Sequence, residues 1–441
     1  MTMPAPLNSD HGGDTARLYD AHETATAFYR AQLPRNDGPV NYLRDRGLGV
    51  LVDQDAPWRI GFAPRLWTGL TDHLHRRGFT NDDLIAAGLA VRGHDGRLRD
   101  RFRDRIIFPI RDQTGRTVAF IGRVWRPGAA TDTLPKYLNS PDTPIYVKGR
   151  HLFGLAEQRD RIAAGWPPVL VEGPTDSIAV WLSYARTGRT GLVGLASCGT
   201  ALTATQMATA VDLPGTCRYG LAVAFDGDPA GRRAADRTHQ LLAAYPDVRA
   251  RGAVLTPGTD PADLIRDPAG RATLRATLER RAQPLLHLVV EHRIDDLIGR
   301  FPWMLGEVEG RLTLARSIAP LVAEQPPAQA VEVLRHVGDH VAQLTSGQPG
   351  GDQATADTLR CVVAAVSEHL HTTAAPTLPQ PSRPGSAPPR QALPPRSAPG
   401  PPPRHPAEHA FPRPPRPGAA TVTDLNPATY PSTRAARHRS R

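Results

Sequence analysis

Lysine is almost missing from this 441-residue chain. Only Lys136 and Lys148 are present; the other 51 of the 53 basic residues are arginine. They precede Tyr137 and Gly149, so there is no Gly-Lys-Ser/Thr phosphate loop, which excludes P-loop ATPase chemistry. Cysteine is nearly as scarce. Cys198, Cys217 and Cys361 lie far apart and build neither a disulfide framework nor a cysteine-rich zinc site. No apolar run approaches the ~18 residues that span a bilayer. Met1 to Gly13 has neither a basic start nor an apolar stretch, so no secretion signal is read there. The expectation is a cytoplasmic protein with no membrane partner.

Acid is what the C-terminal stretch lacks. Residues 376–441 hold 19 of the 45 prolines and ten arginines, against two acids, Glu408 and Asp424. That stretch carries +8 of the net charge of +10, leaving the body at +2. The basicity therefore describes a tail and does not by itself make the body a nucleic-acid binder. A Pro/Arg-rich tail of this kind is expected to stay unfolded and to act as a weak polyanion binder or a tether.

The body is long enough for two to three domains. Helical spacing of Leu18, Ala21, Ala25, Tyr29 and Leu33 predicts a helix over 15–33, and shorter helices are read at 71–77 and 81–88. Residues 105–111 and 117–124 flank Asp112-Gln-Thr-Gly115 as a hairpin. From 166 to 268 strands and helices alternate: strands at 169–171, 191–196, 219–225 and 252–255, and helices at 176–187, 203–211 and 230–245. That order predicts a mainly parallel sheet covered on both faces. Residues 284–346 read as helical, with a short helix near 355–371.

Reactive groups in open α/β sheets collect where strands end. The strand ending at Val171 runs into Glu172-Gly173, with Asp176 one helical turn on; the strand ending at Phe225 runs into Asp226-Gly-Asp228. Three carboxylates able to converge from neighbouring strand ends call for a hard divalent cation, Mg²⁺ or Mn²⁺. Asp228, before Pro-Ala-Gly and a helix, also reads as an N-cap. In an arginine-biased chain, the two surviving lysines are suspects for work that a planar fork cannot do. Arginines at 97, 99, 101, 103, 105 and 111 alternate, which places 101, 103 and 105 on one strand face that could track phosphates. Asp100 and Asp104 are interleaved, so a salt-bridged solvated face fits the same pattern.

Val-Leu-Val-Glu-Gly-x-x-Asp, followed by Phe-Asp-Gly-Asp-x-Ala-Gly, resembles the Toprim fold of primases, topoisomerases and certain nucleases. FYRAQL (28–33), YLRDRGL (42–48), IGFAP (60–64), RFRDRIIFPIRD (101–112), GRVW (122–125), PKYLNSPDTPIYVKGRHLFGL (135–155), GTALT (199–203) and GTDPADLIR (258–266) narrow the resemblance to bacterial DnaG-type DNA primase, over roughly residues 20–345. It implies an α/β protein in four parts. These are a mixed α/β catalytic subdomain (15–165), a Toprim metal domain with a helix-flanked parallel sheet (166–270), a helical subdomain (280–372) and a disordered tail (373–441).

The implied reaction is nucleotidyl transfer, joining ribonucleoside triphosphates on a single-stranded DNA template to make RNA primers for replication. Glu172, Asp226 and Asp228 would hold Mg²⁺ or Mn²⁺, with Asp176 and Asp260 as further candidates. Lys136 and Lys148 both fall in family motifs and would act in catalysis by holding template or nucleotide phosphates. The resemblance favours nucleic-acid or nucleotide contact for Arg103 and Arg105; Arg123 and Arg232 are additional candidates. The family's Asp-Pro-Asp here reads Asp260-Pro-Ala-Asp263, so Asp260 alone carries over. Family members also begin with a zinc ribbon; this chain has no cysteines for one and no zinc is expected. Partners would include a replicative helicase or a separate zinc-ribbon protein. Two other readings stay open: a Toprim nuclease, and a primase-derived DNA-binding factor of a mobile element.

Overall fold

The computed structural model describes residues 12–374, apart from 127–133, 186, 187, 189, 200 and 257. The Pro/Arg-rich tail and Thr200 of the GTALT motif therefore lie outside the described residues. The N-terminal strands are β1 (Gly61–Ala63), β2 (Ala90–Arg92), β3 (Leu98–Asp100), β4 (Arg105–Arg111), β5 (Thr117–Arg123) and β6 (Tyr137–Asn139). The hairpin read at 105–124 is β4 against β5. Its turn is set by Asp112, whose Oδ1 accepts from the Thr114 and Arg116 N–H groups at 2.9 and 3.0 Å, and by Gly115 at φ +91°. β1, β4, β5 and β6 form one antiparallel sheet in that order. The helix Gly12–Gln32 lies on it, burying Ala21, Ala25 and Tyr29, with the Tyr29 ring edge-on to Phe120 at 5.5 Å.

The arginine-rich run departs from expectation. β2 and β3 form a separate small hairpin, and the chain leaves β3 at Asp100 and re-enters a strand only at Arg105. Asp104 takes φ +52°, so residues 101–105 do not share one extended face. Asp100 is not part of a solvated charge ladder either: its buried carboxylate accepts from the Leu70 and Thr71 N–H groups at 2.8 and 2.9 Å.

Beyond residue 165 the strands are β7 (Pro168–Val171), β8 (Val193–Ala196), β9 (Leu221–Val223), β10 (Ala250–Gly252) and β11 (Gln283–Pro284). Their order is β11-β10-β9-β7-β8, with β8, β7, β9 and β10 parallel and β11 antiparallel at the edge. Burial on both faces is visible in the alternation of β7. Val169 and Val171 face a core with Ile178 and Val180, while Leu170 joins Leu195, Val223 and Met207 on the other face. The sequence places the third strand too long, because Pro214 opens a helix to Tyr219 and Gly220 at φ +82° ends it. The fourth is placed too late: β10 closes at Gly252. Helices at 285–300, 308–323 and 327–345 fill the region read as helical, and the last helix spans 351–374, longer than expected.

A buried seam joins the two sheets. Phe153 exchanges both backbone hydrogen bonds with Ala196 on the free edge of β8. Trp58 stacks on Phe153 at 5.3 Å and meets Trp181 edge-on. Beside them Arg111 Nε donates to Glu157 Oε1 at 2.8 Å, with the Glu157 side chain 2% exposed. Removing one partner of a buried pair strands the other charge. Arg111→Ala is therefore expected to cost about 3–5 kcal/mol of stability, read as a lower urea midpoint. A shift under about 1 kcal/mol would show that water reaches Glu157 after all.

Candidate active site

β7 and β9 pair in parallel, Val169 opposite Ala222 and Leu170 opposite Val223, so their carboxyl ends emerge side by side. Glu172 Oε1 accepts the Asp226 N–H at 3.2 Å. The next helix begins at Pro174; Asp176 in its first turn is buried, and one oxygen accepts the Gly173 N–H at 3.0 Å. Its other oxygen, Oδ1, is buried without a hydrogen-bond partner. Asp260 caps a short helix by accepting the Asp263 N–H at 2.7 Å and lies 3.9 Å from Arg46. Glu172, Asp176, Asp226 and Asp260 line one cleft of about 120 Å³, together with Lys136, Tyr137 and Arg123.

The electrostatics of this cleft are those of crowded anions. Burial pushes Asp226 up to about 7, helped by the negative charges of Glu172, Asp260 and Asp228, while Lys136 pulls the other way. Burial also raises Glu172, and it holds Asp176 well above the carboxylate range with help from Asp260 and Asp226. A hard cation fits these residues: the acids offer oxygen donors only, their charges oppose one another, and a buried Asp176 oxygen lacks a partner. Among the described residues no three His, Cys, Asp or Glu side chains stand close enough to hold an ion as arranged. The acids share a cleft without forming a finished coordination shell.

Asp228 corrects one expectation. It caps the helix Pro229–Leu242, Oδ1 accepting from Ala230 and Gly231 at 2.8 Å each, and it does not line the cleft. Its charge still reaches Glu172 and Asp226.

The basic candidates separate into different situations. Lys136 stands exposed at the cleft, delivered by the β5–β6 pairing of Arg123 with Tyr137. Lys148 is exposed outside it; its backbone N–H donates to Asp142 at 2.8 Å. Arg105 is a correction. It is buried, and its Nη1 donates to the carbonyls of Gly122 at 3.0 Å and Pro135 at 2.9 Å, so it anchors the segment carrying Lys136 instead of facing a strand of nucleic acid. Arg123 is buried too, donating to the hydroxyls of Tyr42 at 2.9 Å and Tyr137. Burial opposes its charge, but the two tyrosine oxygens outweigh that and raise its pKa. Tyr137, itself pushed up to about 12 by burial, also meets Thr175 Oγ1 at 3.2 Å and so ties the first sheet to the helix after Glu172. Arg232 pairs with Asp296 at 2.7 Å.

Arg103 gains a partner that sequence reasoning overlooked. Its guanidinium lies 3.3 Å from the centroid of the Trp67 ring, with Arg99 at 4.7 Å, and Trp67 is 55% exposed. An aromatic set among arginines at 65, 97, 99 and 103 is the available signal, hidden because Trp67 is distant in sequence.

Two parallel-strand ends presenting acids over a helix-flanked sheet define a Toprim-type protein, here joined to a second, antiparallel sheet. Residues 28–159 match the family of the DNA primase catalytic core, N-terminal domain, and residues 169–265 match the Toprim-like family. The DNA primase of Pseudomonas aeruginosa is 34% identical over 348 residues, 75% of this chain and 48% of that protein. The RNA polymerase domain of Mycobacterium tuberculosis primase DnaG superposes with a TM-score of 0.59 at 34% identity, covering 74% of this chain and 98% of that one. A DnaG primase catalytic domain bound to single-stranded DNA gives a TM-score of 0.57 at 31% identity, covering 74% and 96%. The chain belongs to the DnaG-type bacterial primase catalytic cores. It spans about half the length of the curated relatives it matches.

Gly231 is where the acid loop tolerates least. A Cβ there would sit 1.9 Å from the Asp226 carbonyl oxygen, so the Asp226–Asp228 turn must move. Gly231→Ala is expected to cost about 1–3 kcal/mol and to weaken Mn²⁺ binding measured by titration. Unchanged Mn²⁺ affinity would separate the turn from the cation site.

Proposed function

We propose that this chain is the nucleotide-adding core of a DNA primase, joining ribonucleotides on single-stranded DNA. The observation that carries the reading is the meeting, in one cleft, of acids from one sheet with Lys136 from the other. Residues 15–165 would hold template and nucleotide, 166–270 the cation, and 280–372 would buttress the second sheet. Glu172 and Asp226 would hold Mg²⁺ or Mn²⁺, with Asp176, Asp228 and Asp260 contributing charge. Such an ion, when bound, polarises a phosphate and neutralises developing negative charge.

The chain's own groups do the rest. Lys136 places a compact positive charge against phosphate oxygens at the cleft, and Arg105 fixes its backbone. Tyr137, held by Arg123, keeps the cleft wall against the helix that carries Asp176. Trp67, with arginines on its ring, offers a stacking face for an unpaired base. Lys148, exposed farther along, would steady template phosphates.

The experiment is a gel assay with single-stranded template, Mg²⁺ and labelled ribonucleotides. Labelled extension products are expected from the wild type; cleaved template, or a mobility shift alone, would overturn the reading. Glu172→Gln and Asp226→Asn should lower product at least about 10²-fold while thermal melts stay cooperative. Lys136→Arg and Lys148→Arg keep the charge but substitute a bulkier fork, and losses of about tenfold or more are expected. Normal activity in both arginine variants would show that charge alone suffices.

A further inference from the structure

Asp100 closes β3 beside an arginine on either side, yet it takes part in no ion pair among the described residues; Arg99 pairs instead with Asp95 at 2.7 Å. Its buried carboxylate turns to a segment thirty residues earlier. Oδ2 accepts the Leu70 N–H at 2.8 Å, and Oδ1 accepts the Thr71 N–H at 2.9 Å and the Thr71 hydroxyl at 2.7 Å. The backbone N–H of Asp100 donates to the Trp67 carbonyl at 2.7 Å. Four hydrogen bonds from one residue thus grip the Trp67–Thr71 turn at both ends. The helix Gly69–His75 has no cap of its own. Thr68 stands at its N-cap, but the Thr68 hydroxyl donates to Asp72 Oδ2 at 3.0 Å and caps no backbone N–H. Asp100 supplies the missing acceptors from a distance. What the turn presents to solvent is Leu66 and Trp67, both more than half exposed. Arg99 and Arg103, on either side of Asp100 in the chain, lie over the Trp67 ring at 4.7 and 3.3 Å.

We propose that Asp100 is a positioning residue: it holds Trp67, with Arg99 and Arg103, as a ready platform for the unpaired bases of a single strand. This role rests on the nucleotide-adding function proposed above, and it concerns how the strand is held, apart from the cation and the bond that forms. Asp100 touches no substrate and acts through Trp67. An exposed indole on a free turn has several backbone and side-chain states, and all but one are given up when a base stacks on it. A turn already fixed by hydrogen bonds loses less on binding, which raises affinity without any new contact. Charge and tether predict opposite signs. As a charge, Asp100 repels a polyanion, so its removal would strengthen binding. As a tether, it sustains the platform, so its removal weakens binding. An acid kept to balance the arginines would pair with one of them; this acid gives its oxygens to two backbone N–H groups and a threonine hydroxyl.

The test is the affinity of the full chain for a fluorescent single-stranded oligodeoxynucleotide, read by anisotropy at fixed salt. Asp100→Asn keeps the side-chain shape but removes the charge and one acceptor. It is compared with Trp67→Ala, with the double variant D100N/W67A, and with Thr71→Val, which deletes one donor to Asp100 at nearly constant volume. D100N is expected to weaken binding at least about fivefold and W67A at least about tenfold. The double variant should stay within about twofold of W67A, because both losses pass through the same ring. T71V should weaken binding about two- to fivefold, and that loss should vanish when W67A is already present. T71V decides the matter if D100N loses its cooperative melt. In the extension assay D100N should raise KM for template and leave kcat within about twofold. Stronger binding by D100N would show that Asp100 acts as a charge and overturns the positioning role. Losses that multiply in the double variant overturn it as well. A lowered melt with unchanged affinity of the folded chain would make Asp100 structural only. A chain whose DNA affinity follows the expected pattern but which makes no product would keep the positioning role and reject the nucleotide-adding reading instead.

Discussion

Parallel pairing of β7 with β9 forces like charges together. Hydrogen-bonded parallel strands run about 4.7–4.9 Å apart and end on the same edge, so acids that follow them are neighbours wherever their side chains point. Glu172 and Asp226 cannot separate without breaking the ladder that makes the sheet's core. Burial raises Asp226 first, the repulsion adds to that rise, and the attraction of Lys136 relieves part of it. Anions held at this spacing are the arrangement that the proposed cation would relieve.

The second sheet matters because it brings the opposite charge, and it does so through buried polar groups. Arg105 and Arg123 are arginines that never reach solvent; one binds carbonyls of the segment before β6, the other binds two tyrosine hydroxyls. Both are expensive to bury unless every contact is made. Together with Trp58 against Phe153 and the Arg111–Glu157 pair, they make the meeting of two sheets a specific one. The acidic cleft is therefore an interface property, and its exposed lysine depends on arginines that a solvent-facing view would miss.

The arginine-rich run between 97 and 105 illustrates how a charge pattern misleads. Alternation reads as one strand face only if the backbone stays extended, and Asp104 at φ +52° ends that condition. Within nine residues the chain distributes these arginines among three settings: Arg99 and Arg103 against Trp67, Arg101 donating to the Asn139 carbonyl, and Arg105 in the core. On the helix after Asp228, likewise, Arg232 pairs with Asp296 from a helix more than fifty residues away, while Arg233 and Arg237 have no ion-pair partner among the described residues.

What the sequence determined by itself is local or periodic. The 105–124 hairpin, the alternation of strands and helices after 166, and acids at the ends of two strands all follow from side-chain period and turn chemistry. The scarcity of lysine singled out Lys136, and Lys136 does stand at the acidic cleft. The N-cap alternative for Asp228 was also legible, and the helix uses it. Only the tertiary structure decided which acids share a cavity, that Arg105 and Arg123 are buried, and that Trp67 stacks under Arg103. Each of these depends on partners far apart in the chain, Arg123 with Tyr42 or Arg46 with Asp260. Periodicity tells a residue which face it occupies; only packing tells it what waits on the other side.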